Sequence, residues 1–223
     1  MPARDFMKKV LYSRLGVRTL VTGYDNRFGH DRTEGFEQYA QYGREMGMQV
    51  VRATAFAPGG ANVSSSAIRR LLQCGEVESA ARLLGRTYTI GGNVVGGFKV
   101  GRKIGFPTAN ISIDCDLKML PMHGVYAVEV GVEGIEGIMG GMMDIGTRPT
   151  FGGSGTTLEV NIFGFHGDIY GHRATVGFLH RMRPERKFGS AEELAAQLEA
   201  DRNQAESIID AARRQRQTIQ KES

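Results

Sequence analysis

Cysteine is scarce in this chain of 223 residues, and the two present, Cys74 and Cys115, lie far apart with no C-x-x-C partner. That excludes a disulfide framework and a cysteine zinc site, and leaves two reduced core thiols as the expectation. No apolar run approaches the roughly 20 residues needed to cross a bilayer. The opening segment MPARDFMKKVLYSRLG carries charge through what reads as an amphipathic helix, so it lacks the unbroken apolar stretch of a secretory signal. The expected location is the cytoplasm, with no membrane partner. Internal repeats and low-complexity segments are missing too. Charged residues at 23% and hydrophobic ones at 41% exclude a mostly disordered protein.

The net charge of +4 suits an anionic partner, either a small polyanion or a nucleic acid. Much of it gathers near the end, in Arg213, Arg214, Arg216 and Lys221, where a solvated tail is expected. The barrel-like segments described below hold no run of interleaved aromatic and basic residues, which ranks nucleic acid last among the partners.

The first third alternates helix and strand patterns. Phe6, Met7, Val10 and Leu11 recur at helical spacing, and Val17 to Thr22 reads as a short buried strand. Gly35 to Gly47 is helix-compatible, Met48 to Phe56 is strand-like, and a helix restarts over Ser64 to Gln73 after Pro58-Gly59-Gly60. Such alternation predicts a parallel α/β sheet. The texture changes near Gly85. Short β-type runs with glycine punctuation follow (TYTIGGNVV, GVYAVEV, GIMGGMMDIG, TTLEVNIFGF and ATVGFLHRM), and they predict a small β-barrel. The boundary falls between Leu84 and Thr87, giving domains 1–85 and 86–217. A last helix opens at Ser190-Ala-Glu-Glu193 with capping-box spacing, and Leu194, Leu198, Ala205 and Ile208 form the stripe that packs it on the barrel.

The segment VVGGFKVGRKIGFPTAN, residues 94–110, carries the first chemistry. Gly96, Gly97 and Gly101 let backbone approach a phosphate, and Lys99, Arg102 and Lys103 add positive charge. The order of a Walker A loop is absent, so a phosphate cradle and a plain barrel turn both stay open. If a strand leaves the loop, Thr108 and Asn110 share one face. A magnesium ion on ATP needs only one or two such neutral oxygen ligands, although the same residues can merely close a turn. Glu159 lies in TLEVNIF, where Leu158, Val160 and Ile162 form the apolar face and Thr157, Glu159 and Asn161 the polar one. It reads either as an active-site carboxylate or as a solvent-facing glutamate.

GRKIGFPTAN, HGVYAVEV, DIGTRPTF, LEVNIFGF, GDIYG and RPERKFGSAEEL occur in that order. Together, over about residues 86 to 205, they resemble the riboflavin kinase module of the bacterial bifunctional riboflavin kinase/FMN adenylyltransferase (FAD synthetase) family. Upstream, GYDNRFGHDRTEGF and VSSSAIR resemble the G-x-D-x-R-F-G and V-S-S-T-x-I-R segments of that family's adenylyltransferase module. The family's H-x-G-H motif is absent among the five histidines, so the resemblance implies an N-terminally truncated form.

The resemblance implies a partial Rossmann-like nucleotidyltransferase α/β domain, then a six-stranded Greek-key barrel with a C-terminal helix. It implies ATP, riboflavin and FMN as small-molecule substrates, Mg2+ as cofactor, and a monomer or weak homo-oligomer. Thr108 and Asn110 would bind the magnesium, and Glu159 would act as base on the ribityl 5′-hydroxyl. Gly96, Gly97, Lys99, Gly101 and Arg102 would face the nucleotide, and Arg181, Arg183 and Phe188 the flavin. Gly23, Asp25, Arg27, Ser64, Ser65 and Arg69 would be the adenylyltransferase remnant, although Ser64 also reads as an ordinary helix cap. Thr108, Asn110 and Glu159 are expected to converge at the barrel's mouth. Two departures stand out: Asp144 where the family usually has asparagine, and Asn161 where many members have histidine. A non-catalytic flavin- or nucleotide-binding remnant is the alternative.

Overall fold

The computed structural model describes residues 1–23, 26–30, 32–54, 63–96, 105–113, 115, 117–150 and 153–222. They divide into two compact units, Met1–Val63 and Ser64–Ser223.

In the first unit, helix α1 (Ala3–Asp5) runs on into a wider π-helical stretch, Phe6–Tyr12. Strand β1 (Thr19–Thr22), helix α2 (Phe36–Met46) and strand β2 (Gln49–Arg52) follow. β1 and β2 pair in parallel, Thr19 opposite Gln49, as the alternating pattern predicts. Met7, Tyr39 and Met48 form the core, against which Leu20 and Val50 pack. The Tyr39 ring stacks on Phe28 at 4.0 Å, and its hydroxyl accepts from the Phe28 amide at 2.9 Å. The expectation of a buried strand near Val17 to Thr22 is not met. Val21 is 64% exposed, because among the described residues the apolar cluster forms on the Leu20 and Val50 side alone. Parallel sheets ordinarily bury both faces.

The second unit opens with helices α3 (Ser65–Gln73) and α4 (Val77–Leu84). Six strands follow: β3 (Tyr88–Val95), β4 (Ala109–Ile113), β5 (Gly124–Val132), β6 (Met139–Thr150), β7 (Gly153–Ile162) and β8 (Arg173–Arg183). They close into a barrel in the order β3-β4-β7-β6-β5-β8, antiparallel at every pairing. This Greek-key order carries the six-strand expectation through. Alternate residues fill the interior: Ile90, Val94, Val128, Val130, Leu158, Val160 and Phe178. Leu72, Val77 and Ala80 of the helical hairpin join the same cluster, so α3 and α4 pack with the barrel even though the change in composition comes at Gly85. The turn between the two helices needs Gly75: its φ is 78°, and a Cβ there would meet the Arg181 Cδ at 2.3 Å.

Helix α5 (Ala191–Glu222) lies on the outside of the barrel, with Ala205 and Ile209 against Ala127, Met142 and Phe106. Ser190 accepts from the Glu193 amide at 3.2 Å, but Glu193 returns the bond to the Gly189 amide at 3.0 Å, one residue beyond the expected capping box. Two of the C-terminal basic residues are not a solvated tail. Arg213 and Arg216 bond the buried Glu129 carboxylate at 3.2 and 2.6 Å and fasten α5 to β5. The cysteines are also corrected: both are exposed rather than in the core, Cys74 at the C-terminal end of α3 and Cys115 after β4.

Candidate active site

Ile111 points into the barrel, so period two sends Asn110 and the preceding Thr108 outward; on β7, Leu158 and Val160 point in and Glu159 out. Register sets Asn110 opposite Glu159 on one side and Asp144 opposite it on the other. The Thr108 hydroxyl donates to Glu159 Oε2 at 3.2 Å. Asn161 supports this from one pleat further along β7, its Nδ2 donating to the Pro107 carbonyl at 2.6 Å and holding the segment before β4 against β7. Thus Thr108 and Glu159 are in contact, and Asn110 is opposite Glu159 in the register while lining neither cavity. These side chains stand on the outer face of β4 and β7, because the opposite face is filled by the core.

Two cavities meet at Thr108. One, about 290 Å³, runs beneath the start of α5, with Phe106, Met142, Phe188 and Leu198 as apolar walls and Asp144, Glu159 and Asn161 as its polar floor. The other, about 330 Å³, shares Thr108 with it; the core residues Val94, Val160 and Ile162 line it on one side, and His166, Asp168 and Tyr170 add polar groups. Glu185 closes the first from above, its Oε1 accepting from the Thr147 amide at 3.3 Å. Gly146 makes room for this convergence: a Cβ there would lie 2.7 Å from Glu185 Oε1 and 2.9 Å from Asp144 Oδ2.

The residues expected on the flavin side separate. Arg183 lines the cavity, but its guanidinium bonds Asp201, which is 2% exposed, at 2.7 to 3.0 Å and so pins α5 to β8. Phe188 lines the same cavity, with the guanidiniums of Arg183 and Arg186 at 5.8 and 5.3 Å from its ring. Arg186 is held by Glu193. Arg181 lines neither cavity. It donates to the His123 carbonyl at 2.7 Å beside the α3–α4 turn, next to Tyr126, whose hydroxyl burial pushes up to about 12 against the pull of Arg181.

Gly96 is exposed at the end of β3 and lines neither cavity, while Gly97, Lys99, Gly101, Arg102 and Lys103 lie outside the described residues. So does Asp25. Gly23 and Arg27 follow β1 in the first unit, whereas Ser64, Ser65 and Arg69 start α3 in the second. Ser64 caps that helix, accepting from the Ala67 amide at 3.1 Å, and Ser65 and Arg69 are exposed. Sequence reasoning missed Phe106, Met142 and Glu185. Phe106 immediately precedes the Pro107-Thr108 pair and Glu185 lies inside the RPERKF motif, so both had a local signal; Met142 comes in only through barrel register.

Fold and site together define a class: an antiparallel Greek-key barrel flanked by a C-terminal helix, with a hydroxyl–carboxylate pair where two cavities meet. Within that class the riboflavin kinase family model matches residues 84–209, more than half of the chain, and the chain belongs to that family. A second model, FAD synthetase, matches residues 1–67. The bifunctional riboflavin kinase/FMN adenylyltransferase of Pseudomonas fluorescens is 37% identical over 202 residues, covering 90% of this chain and 64% of that protein. Its Escherichia coli K12 counterpart is 38% identical over 201 residues, covering 90% and 63%. The chain therefore spans just under two thirds of the length of these relatives. A crystal structure described as a macrolide-efflux protein from Streptococcus pneumoniae matches with a TM-score of 0.78 at 33% identity, covering 91% of this chain and 64% of that one. Efflux is said of that protein; among the described residues here, no helix is long and apolar enough to cross a membrane.

Proposed function

We propose that the second unit is a riboflavin kinase, transferring the terminal phosphate of ATP to the 5′-hydroxyl of riboflavin to give FMN and ADP. The observation that carries this reading is the Thr108–Glu159 bond at the meeting of the two cavities. The cavity floored by Glu159 has the aromatic and aliphatic walls an isoalloxazine ring needs, and the one beside it, which mixes apolar and polar groups, is left for the nucleotide.

The Thr108 hydroxyl donates a hydrogen bond to Glu159 Oε2, which orients the carboxylate, and the second oxygen, Oε1, takes the proton of the substrate hydroxyl. As that proton moves to Oε1, the hydroxyl oxygen bonds to the γ-phosphorus and the bond to the β-γ bridging oxygen breaks, with ADP as leaving group. Positioning does most of the work in such a transfer, so walls that hold the flavin still matter as much as the base. The residues fit Mg2+: Thr108 would keep its oxygen lone pairs free while its O–H donates a hydrogen bond to Glu159, and Asn110 would supply a second neutral oxygen on the same face. When bound, the ion neutralises charge on the phosphate oxygens.

The first unit, in this reading, is part of an FMN adenylyltransferase, supported by the FAD synthetase match. The proposed setting is the cytoplasm, where ATP is supplied, with small-molecule substrates and neither nucleic acid nor membrane as partner. Asp144 favours a second reading, binding without turnover, since it adds negative charge opposite Glu159. Incubation with riboflavin, ATP and magnesium, followed by chromatography, separates the two. FMN is the expected product, and riboflavin bound but unchanged would leave only the second.

A further inference from the structure

The floor of the flavin-side cavity contains an acceptor with nothing described to fill it. Asn161 is 2% exposed and lines the cavity, and its Oδ1 is fully buried without a hydrogen-bond partner among the described residues. Its orientation is not ambiguous, because the nitrogen must face the Pro107 carbonyl it donates to. Nor do the charged neighbours offer a donor. Asp144, Glu159 and Glu185 are carboxylates, Arg183 is committed to Asp201 and the Pro184 carbonyl, and Arg186 to Glu193. A buried acceptor left unmatched costs about 1–3 kcal/mol, so a ligand that brings the donor gains by binding there.

We propose that Asn161 recognises the ribityl chain, its Oδ1 accepting from a secondary hydroxyl while Glu159 takes the terminal one; this rests on the kinase reading above. Asn161 and Glu159 share one face of β7 two residues apart, a spacing of ~7 Å along a strand. An extended chain of four carbinols covers that span. A floor made of acceptors matches a substrate whose side chain is a row of donors. Phe106, Met142 and Leu198 lie around Asn161, so the aromatic end of the substrate rests on that side and the chain runs toward Thr108.

The test compares riboflavin with a flavin bearing a plain ω-hydroxypentyl chain, which keeps the reacting hydroxyl and lacks the others. The wild-type protein should prefer riboflavin by about tenfold or more in kcat/KM. Asn161→Leu also releases the Pro107 carbonyl and so slows both flavins, but it should shrink the preference about tenfold, because only riboflavin loses a hydroxyl contact with Oδ1. Asn161→Ser gives the same comparison should the leucine variant fold poorly. An equal preference in wild type and variant, or no preference in the wild type, overturns the assignment and leaves the kinase reading standing. A wild type that phosphorylates neither flavin overturns the kinase reading itself, and this assignment with it.

Discussion

In Met1–Val63 two parallel strands rest on helices from one side, and Gly23 and Arg27 sit in the irregular chain that leaves β1. In Ser64–Ser223 every barrel strand has two neighbours, and Thr108 meets Glu159 across 51 residues of sequence because β4 and β7 are locked in register. Closure turns sequence distance into a fixed neighbour relation, since slipping one residue would send every core side chain to the wrong face. The first unit has no comparable constraint among its described residues. The difference teaches where a chemical site can be held by the fold alone.

The largest effect that would sharpen this contrast is on chemistry. Thr108→Val keeps the shape and removes the hydroxyl that orients Glu159, and FMN formation should fall about a hundredfold or more with the thermal midpoint nearly unchanged. A smaller effect separates the two units directly. Phe178 is buried between the rings of Tyr88 and Tyr126, at centroid distances of 6.4 and 5.2 Å, so Phe178→Ala should cost the barrel ~3–5 kcal/mol and take FMN formation with it. Met7→Ala should cost the first unit ~2–5 kcal/mol and spare FMN formation. Calorimetry with a parallel assay checks both, and equal loss of activity in the two variants would break the comparison.

The smallest effect concerns the strap formed by α5. Arg216 is 47% exposed on its side chain, so solvent screening limits Arg216→Ala to about 0.5–1 kcal/mol. Burial pushes the Glu129 carboxyl up, but the hydrogen bonds from Arg216 and Arg213 outweigh it and hold the group below its ordinary value. Its contribution is therefore fully present above the unfolded value of about 4.3 and is lost as pH falls through the lower folded value. The thermal midpoints of wild type and Glu129→Gln should differ at neutral pH and converge in acid.

How much of this was legible in the sequence depended on how local each cause was. Strands announced themselves through period two and glycine punctuation, and the order of the motifs was enough to group Thr108, Asn110 and Glu159. What stayed hidden was set by distant partners. Arg213 and Arg216 look like a loose basic tail until α5 lays them on Glu129, 84 and 87 residues earlier. Arg181 and Arg183 look equivalent in sequence, yet one reaches the His123 carbonyl and the other Asp201. The outward direction of Glu159 follows from the strand pattern, but the cover supplied by α5 and the Glu185 segment does not. Val21 and the two cysteines fail for a related reason: how many layers cover a residue is decided by packing.

Glu159→Gln offers the most direct measurement, since it keeps the size of the side chain and removes its capacity to take a proton. With ATP, magnesium and riboflavin saturating, kcat for FMN formation should drop about a hundredfold or more, while riboflavin affinity and the thermal midpoint hold. Wild-type turnover with the neutral amide in place would contradict the account.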